Sequence, residues 1–148
     1  MASAITGWAT PGTYTDLLTS GLDSLASGSG SALGTEFNNA SGLYVFGDFV
    51  LSCTLGGAPT ANTVVDLYLI PATDGSNYNE GSSTVRPPNF YVGSFLMTGA
   101  TTVLLTITGV PLPPCKFKLT VLNSTGQSMG ASGNKVSILP YKYQSETA

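Results

Sequence analysis

From Leu43 onward the chain alternates between apolar and polar residues with a period of two. The longest such segment runs from Leu43 to Leu55, and one set of alternate positions carries the apolar residues Leu43, Val45, Phe49, Leu51, Cys53 and Leu55. Because the side chains of a strand point alternately to its two faces, this segment predicts a strand with one buried face. The turn residues Gly56-Gly57-Ala58-Pro59 end it.

Five further segments repeat the pattern, at 63–70, 90–97, 102–110, 116–122 and 135–141. In the clearest of them, Phe117, Leu119 and Val121 share the face opposite Lys116 and Lys118. Gly, Pro and Asn separate the segments, and the pattern indicates no helix of normal length after residue 42. These features predict an all-β fold, a two-sheet antiparallel sandwich that is jelly-roll-like. A small closed barrel is the alternative, and periodicity does not separate the two.

The first forty-one residues have a different composition, dominated by Ser, Gly, Thr and Ala with isolated leucines. The spacing of Leu17, Leu18, Leu22 and Leu25 suggests a helix, but the residues between them are poor helix formers. We interpret residues 1–41 as an extended N-terminal arm that contributes one strand, around 22–33, to a sandwich domain of residues 42–148. A chain that starts near Asn38 is therefore expected to fold, since an arm without its own core is ordered only by docking.

Charged residues make up only 9% of the 148 residues, against about 25% in a typical soluble domain. Disorder fits poorly with so many regularly spaced aliphatic and aromatic residues, and no run of about 18 apolar residues indicates a membrane helix. A surface covered by partner proteins is the interpretation that is left. The five basic residues form no run, so nucleic-acid binding is not expected.

The first residues have neither a basic start nor an apolar stretch, so we expect no secretion signal and synthesis in the cytoplasm. In that compartment Cys53 and Cys115 are expected to be free thiols, with Cys53 a small core residue.

Few residues are candidates for chemistry, since the chain has no histidine and its eight acidic residues are scattered. Asp74 and Glu80 are the one local pair that could act as two catalytic carboxylates, and with Asn77 they could bind calcium. The simpler interpretation is that Asp74-Gly75 forms a turn and that Glu80 solubilises the loop. We therefore expect no enzymatic activity, no cofactor and no metal site.

Two long connections, 71–88 and 123–134, are predicted contact surfaces, because long loops in compact domains are commonly functional. Our candidate interface residues are Trp8, Tyr14, Tyr78, Arg86, Gln127 and Met129. Trp8 is the natural anchor for a partner, although packing against its own domain is the alternative. Tyr44 and Tyr68 fall on strand faces opposite the core, which keeps a carbohydrate-binding module as another possibility.

Three stretches resemble segments of small virion structural proteins of tailed bacteriophages. They are Val65-Asp66-Leu67-Tyr68-Leu69-Ile70-Pro71 with Asp74-Gly75-Ser76-Asn77-Tyr78, Gly109-Val110-Pro111-Leu112-Pro113-Pro114 leading to Asn123-Ser124-Thr125-Gly126-Gln127, and Leu22-Asp23-Ser24-Leu25-Ala26-Ser27-Gly28 with Asn38-Asn39 and Leu43-Tyr44. The resemblance covers about 22–141, and its motifs are turns and strands rather than an active site. Cys115 departs from it, because a glycine is expected after the paired prolines.

The resemblance implies a jelly-roll-like fold and a place in the virion, as a capsid decoration (cement) protein on the capsid exterior. It further implies binding to the major capsid protein and self-association as a homotrimer. A phage tail or attachment component is the alternative within the particle.

Overall fold

The computed structural model describes residues 4–147 and the side chains of residues 7–144. Residues 1–3 and 148, the ends of the expected arm and sandwich domain, lie outside this range. Ten strands are formed in the described part: β1 (Ala4–Trp8), β2 (Thr15–Leu18), β3 (Phe37–Asn38), β4 (Phe46–Thr54), β5 (Val64–Ala72), β6 (Tyr91–Leu96), β7 (Thr102–Pro111), β8 (Lys116–Ser124), β9 (Lys135–Tyr141) and β10 (Tyr143–Thr147).

The strands form two four-stranded antiparallel sheets and a separate two-stranded ribbon. The first sheet has the order β2-β9-β4-β7 and the second has the order β3-β8-β5-β6. The ribbon joins β1 to β10, so the two ends of the described chain pair with each other. The predicted all-β antiparallel sandwich is confirmed.

Helical structure is limited to one short α-helix, α1 (Asn39–Gly42), and to 3-10 turns at Ser20–Leu22 and Pro88–Phe90 within the described residues. Leu43 ends α1 in the left-handed region, with φ 49°, and is 58% exposed. The strand predicted to start at Leu43 therefore starts at Phe46, and the expected burial of Leu43 and Val45 is wrong.

The core lies between the two sheets and is built from the alternate residues predicted to point inward. Phe49 and Leu51 of β4, Val65 and Leu67 of β5, Phe117, Leu119 and Val121 of β8, and Val136 and Ile138 of β9 are all 0% exposed. Leu105 and Ile107 of β7 are only partly buried, because β7 is an edge strand and one of its sides has no neighbour in the sheet.

The segment expected to be an extended arm packs into the sandwich from Thr15 onward. β2 pairs with β9, and Leu17, Leu18 and Leu22 are at most 1% exposed. Once one edge of β2 is paired, its leucines lie over the space between the sheets, where their burial stabilises the fold.

Residues 28–34 run along the edge of β8 that faces away from β5, close to where the extra strand was expected. Gly28, Ser31 and Gly34 donate backbone hydrogen bonds of 2.7, 2.9 and 2.9 Å to carbonyl oxygens of β8. The spacing is too irregular for a continuous ladder, so the regular strand here is the two-residue β3 rather than one covering 22–33.

Three buried asparagines fasten the connections to the sandwich. Asn39 donates to the Tyr44 and Pro113 carbonyl oxygens at 2.9 and 2.7 Å. Asn123 and Asn134 make similar bonds at the two ends of the β8–β9 connection. Because a buried amide left unpaired costs roughly 1–3 kcal/mol, these bonds hold the connections in one conformation.

Candidate functional site, an aromatic cluster beside a sheet face with few charges

Four aromatic side chains form a cluster where the terminal ribbon meets the first sheet. Trp8 is paired with Tyr143 across the ribbon, and Phe46 is paired with Tyr141 across β4 and β9. The Trp8 ring lies 4.4 Å from Tyr143, 5.2 Å from Tyr141 and 6.4 Å from Phe46, measured between centroids. Cross-strand aromatic pairs of this kind stabilise strand pairing and fix its register. We call these four residues the aromatic cluster.

The outer part of this cluster is open to solvent. Trp8 is 57% exposed and Tyr143 is 48% exposed, whereas Phe46 and Tyr141 are half-buried beneath them. Trp8 therefore packs on its own domain, as the alternative interpretation expected, and more than half of it is still exposed to solvent. Aromatic side chains in such positions are enriched in protein interfaces, where one ring supplies a large contact area.

The cluster continues into the outer face of the first sheet, which we define by four rows of side chains. Across β9, β4 and β7 the rows are Tyr141, Phe46 and Pro111; Leu139 and Asp48; Ser137, Val50 and Thr106; and Lys135, Ser52 and Leu104. Antiparallel sheets with one solvated face ordinarily carry polar residues there. This face instead carries aliphatic, aromatic and hydroxyl side chains with two charged ones.

Both charged side chains of the four rows contact neighbouring groups. Asp48 accepts hydrogen bonds from the Tyr141 hydroxyl at 3.1 Å and from the Gly109 N–H at 2.8 Å. Lys135 lies 3.1 Å from the Asp16 carboxylate, which also accepts a 2.5 Å hydrogen bond from Ser137. Lys135 is therefore ion-paired, Asp48 is hydrogen-bonded, and the other side chains of the four rows are uncharged.

These contacts shift two pKa values in the directions expected. The hydroxyl of Ser137, and then the ammonium of Lys135, hold the pKa of Asp16 below its usual range. Burial, assisted by the bond to Asp48, raises the pKa of Tyr141. Both shifts move the pKa further from neutrality, so neither Asp16 nor Tyr141 changes its charge state near neutral pH.

The six candidate interface residues are not brought together in one site. Trp8 belongs to the aromatic cluster. Tyr14 is 48% exposed and lies immediately before β2 of the first sheet. Tyr78 and Arg86 lie in the β5–β6 connection, while Gln127 and Met129 lie in the β8–β9 connection. Met129 is only 3% exposed and packs in the core. The prediction that it is an interface residue is therefore wrong, because its side chain is not accessible to a partner.

Tyr78 has a structural role, because it ties its loop to the second sheet. Its hydroxyl donates a 2.7 Å hydrogen bond to Glu36, which is also paired with Lys116 at 3.1 Å. The Lys118 ammonium sits 4.7 Å from the Tyr78 ring centroid. Burial and the bond to Glu36 together raise the pKa of Tyr78.

Arg86 and Gln127 also make contacts within the chain. The Arg86 guanidinium donates to the Ser83 carbonyl oxygen and lies where a Cβ on Gly30 would project. The Gln127 side chain lies next to Gly57, whose added Cβ would be 2.8 Å from Oε1. Both residues are half-buried by neighbouring loops, which leaves them less available to a partner than Trp8.

Sequence reasoning did not select Phe46, Tyr141, Tyr143 or Leu104 for this surface. The available signal was the occurrence of apolar residues at positions that alternate with the core positions of β4, β7 and β9. In a strand with one solvated face those positions are normally polar.

Asp74 forms the turn expected from Asp74-Gly75. Its Oδ1 accepts hydrogen bonds from the backbone N–H groups of Asn77 and Ser76, at 2.8 and 2.9 Å, and these bonds lower its pKa to about 2. The Asn77 amide nitrogen donates to the second carboxylate oxygen. Among the described residues no group of three or more His, Cys, Asp or Glu side chains could hold a metal ion.

Both cysteines lie in the described part of the chain, and both are free thiols, as expected. Cys53 is 3% exposed and belongs to the core, and burial raises its pKa to about 11. Cys115 is half-buried, and partial burial raises its pKa as well. A thiol whose pKa is raised is a poor nucleophile at neutral pH.

A shallow cleft of about 450 Å³ opens at the ends of β6 and β7. Ten residues line it, and none of them is charged: Leu69, Pro71, Asn89, Phe90, Tyr91, Val92, Val110, Pro111, Leu112 and Pro113. This lining offers apolar contact but no carboxylate, ammonium or thiol group for chemistry.

No helix within residues 4–147 combines the length and the apolar character needed to cross a membrane. In comparisons with known proteins, no family model, curated protein or solved structure matches this chain.

Proposed function

We propose that the protein is a non-enzymatic structural protein of a bacteriophage particle, a capsid decoration (cement) protein on the capsid exterior. It binds the major capsid protein across subunit junctions and stabilises the shell. The observation that carries the proposal is the outer face of the first sheet, a low-charge surface that ends in an exposed aromatic cluster. Surfaces of this composition are depleted in charge and enriched in aromatic residues, as the centres of protein interfaces are.

The strand order supports the jelly-roll interpretation that accompanies this role. Omitting the terminal ribbon, eight strands remain, and successive strands fall in the first and second sheets in the order 1-2-1-2-2-1-2-1. A jelly roll has eight strands in two sheets connected as two Greek keys, and this order is compatible with that arrangement.

The basic side chains support the expectation that nucleic acid is not a partner. Lys116 and Lys135 are in ion pairs, and Lys118 lies over Tyr78. Lys142 donates to the Gly42 carbonyl oxygen at 2.8 Å, and Arg86 donates to that of Ser83. Phosphate binding depends on clustered cations that displace the counterions of the nucleic acid, whereas each of these five contacts a group of the protein.

Shell stabilisation follows from linkage. A protein that binds the assembled shell but not free subunits shifts the equilibrium toward assembly. Many identical copies on a symmetric lattice make even modest contacts sufficient. Trp8 is the anchor in this scheme, because truncation of a buried interface tryptophan typically costs about 2 kcal/mol or more.

The first test is quantitative mass spectrometry of purified virions after heads and tails have been separated. Hundreds of copies in the head fraction are expected for a decoration protein. A low copy number confined to tails would instead identify the alternative, a tail or attachment component. Absence from both fractions would exclude the virion role.

A second test examines the contact surface with purified protein and undecorated shells. Trp8→Ala is expected to weaken binding about thirtyfold, the equivalent of about 2 kcal/mol. Tyr91→Ala is the matched control, since Tyr91 is 49% exposed but lies in the second sheet. Equal affinities of the two variants would show that the aromatic cluster does not contact the shell.

Carbohydrate binding is a second candidate, and the exposed pair of Trp8 and Tyr143 is the observation that favours it. The tyrosines first considered for this role are half-buried, with Tyr44 packed 6.4 Å from Phe37 and Tyr68 packed 5.7 Å from Tyr91. Titration with host-surface glycans under fluorescence detection tests it, because Trp8 is the single tryptophan of the chain. A saturable shift in its emission would favour this function, and a flat titration would exclude it for the glycans used.

A further inference from the structure

The two sides of the sandwich differ in how their strand edges are protected. On one side, the first and second sheets end in β2 and β3, which have only four and two residues. Asp16 lies in β2 and Glu36 immediately precedes β3, and both take part in ion pairs. Short strands and charged residues are the usual means by which proteins prevent edge strands from pairing with other chains.

On the other side, the sheets end in β6 and β7, which have six and ten residues. Within residues 4–147, β7 pairs with β4 alone and β6 pairs with β5 alone. Residues 87–115 include both strands and contain no Asp, Glu, Lys or Arg. The one proline of β7, Pro111, is at its very end. β7 carries a register shift between Ile107 and Val110, and β6 carries one between Tyr91 and Gly93. The regular part of the β7 edge is therefore 102–107, and this part has neither the charged residues nor the short length that protect the opposite side.

Exposed apolar side chains lie along the same unprotected side. Leu104 of β7 is 71% exposed, the largest value for any large apolar side chain in the described part of the chain. Leu96 and Tyr91 of β6 are 52% and 49% exposed. An open backbone edge next to exposed apolar side chains is a template for strand addition.

We propose that β7 pairs antiparallel with β7 of a second copy of this chain, across a two-fold axis, so that two first sheets become one eight-stranded sheet. The charge distribution favours a second copy as the occupant. Each chain has a net charge of −3, so two copies repel each other wherever charged surfaces meet, and this edge brings none together.

The sequence of β7 is also compatible with pairing to itself. Antiparallel pairing centred on Leu105 places Val103 opposite Ile107 and Leu104 opposite Thr106, and the other registers likewise bring only uncharged side chains together. Pairs of β-branched and aliphatic residues stabilise antiparallel ladders. A two-fold axis closes the contact at two copies, because the same patch is used on both.

The inference concerns self-association and does not depend on the proposed role in a virion. It differs from the homotrimer that the sequence resemblance implies, since two-fold pairing predicts a dimer. The proposed function is tested on virions and shells, whereas this inference is tested on the purified protein alone, so failure of one is distinguishable from failure of the other.

The test is sedimentation equilibrium of the purified full chain from micromolar to submillimolar concentrations. A monomer–dimer equilibrium is expected. In Leu104→Lys the dimer dissociation constant should rise about tenfold or more, because each dimer loses two apolar contacts and gains two ammonium groups at diagonally adjacent positions of the ladder. Val85→Lys is the matched control, since Val85 is 54% exposed in the β5–β6 connection, and its dissociation constant should equal that of the wild type.

Hydrogen exchange at low and high protein concentration gives a second measurement that needs no variant. Backbone amides within 102–111 should gain protection as concentration rises, while those of 15–18 on the opposite side should not. A monomer at every concentration would overturn the inference. So would an oligomer that Leu104→Lys leaves intact, or one that protects other segments instead.

Discussion

Replacing Leu22 by alanine tests whether the N-terminal segment belongs to the folded domain. Leu22 is 0% exposed and packs in the core together with Leu17 and Leu18. Truncation of a buried leucine to alanine removes its transfer free energy and leaves a cavity, at a cost of about 2–5 kcal/mol. A domain has a total stability of roughly 5–15 kcal/mol, so this one change should remove a large share of it.

The assay is urea unfolding at neutral pH followed by far-UV circular dichroism, with the free energy of unfolding obtained by linear extrapolation. Leu43→Ala is the control, since it removes the same atoms from a side chain that is 58% exposed, and it should change the free energy by no more than about 0.5 kcal/mol. If Leu22→Ala costs no more than Leu43→Ala, the segment is not packed in the core and the reasoning fails.

A chain that starts near Asn38, which the sequence alone predicts to fold, lacks part of the core. Such a truncation removes Leu17, Leu18 and Leu22 and also uncovers one edge of β9. Three buried leucines together contribute about 6–15 kcal/mol, which is comparable to the whole stability of a domain. We expect the truncated chain to be unfolded, and a cooperative unfolding transition in it would contradict this.

Three further predictions concern acid stability, thiol reactivity and glycine packing. The pKa of Asp74 is lowered to about 2. The contribution of its carboxylate to stability is therefore complete above the unfolded-state pKa of about 4 and is lost as pH falls through about 2. Asp74→Ala should flatten the curve of unfolding free energy against pH between these two values, and an unchanged curve would contradict this. Half-buried Cys115 should be alkylated by iodoacetamide before buried Cys53, as followed by peptide mass spectrometry, and the reverse order would show that the core opens locally. Gly34→Ala should destabilise by about 1–3 kcal/mol in urea unfolding, because its Cβ would overlap a backbone carbonyl oxygen of β2, whereas Gly21→Ala meets nothing within 4 Å and should cost clearly less.

The strands could be predicted because their signal is local. Lys135–Tyr141 is found with the predicted bounds, and Val136 and Ile138 are 0% exposed as the alternation required. Alternation reports which residues share a face, and in a half-buried strand that is enough to identify the core side. The prediction failed at Leu43, where α1 and a left-handed residue interrupt the strand although the alternation continues.

The candidate site could be predicted only in part. Trp8 was chosen as an anchor because an indole supplies a large contact area and one hydrogen-bond donor, but its neighbours in the cluster were not identified. Tyr141 and Tyr143 reach it through pairing between the two ends of the chain, and no local pattern reports which strands pair. Met129 was selected from a loop with turn chemistry, although the chain around it folds back and buries it.

The sequence by itself determined the all-β class, the approximate positions of strands β4 to β9, most of their inward residues and the scarcity of charge. These properties depend on alternation and turn residues, which act over a few positions. Only the tertiary structure decided that Leu17, Leu18 and Leu22 belong to the core and that β7 is left as an unprotected edge. The physical reason is that burial of an isolated leucine, or exposure of a strand edge, depends on which distant segment lies beside it. For β2 that segment is β9, more than a hundred residues along the chain.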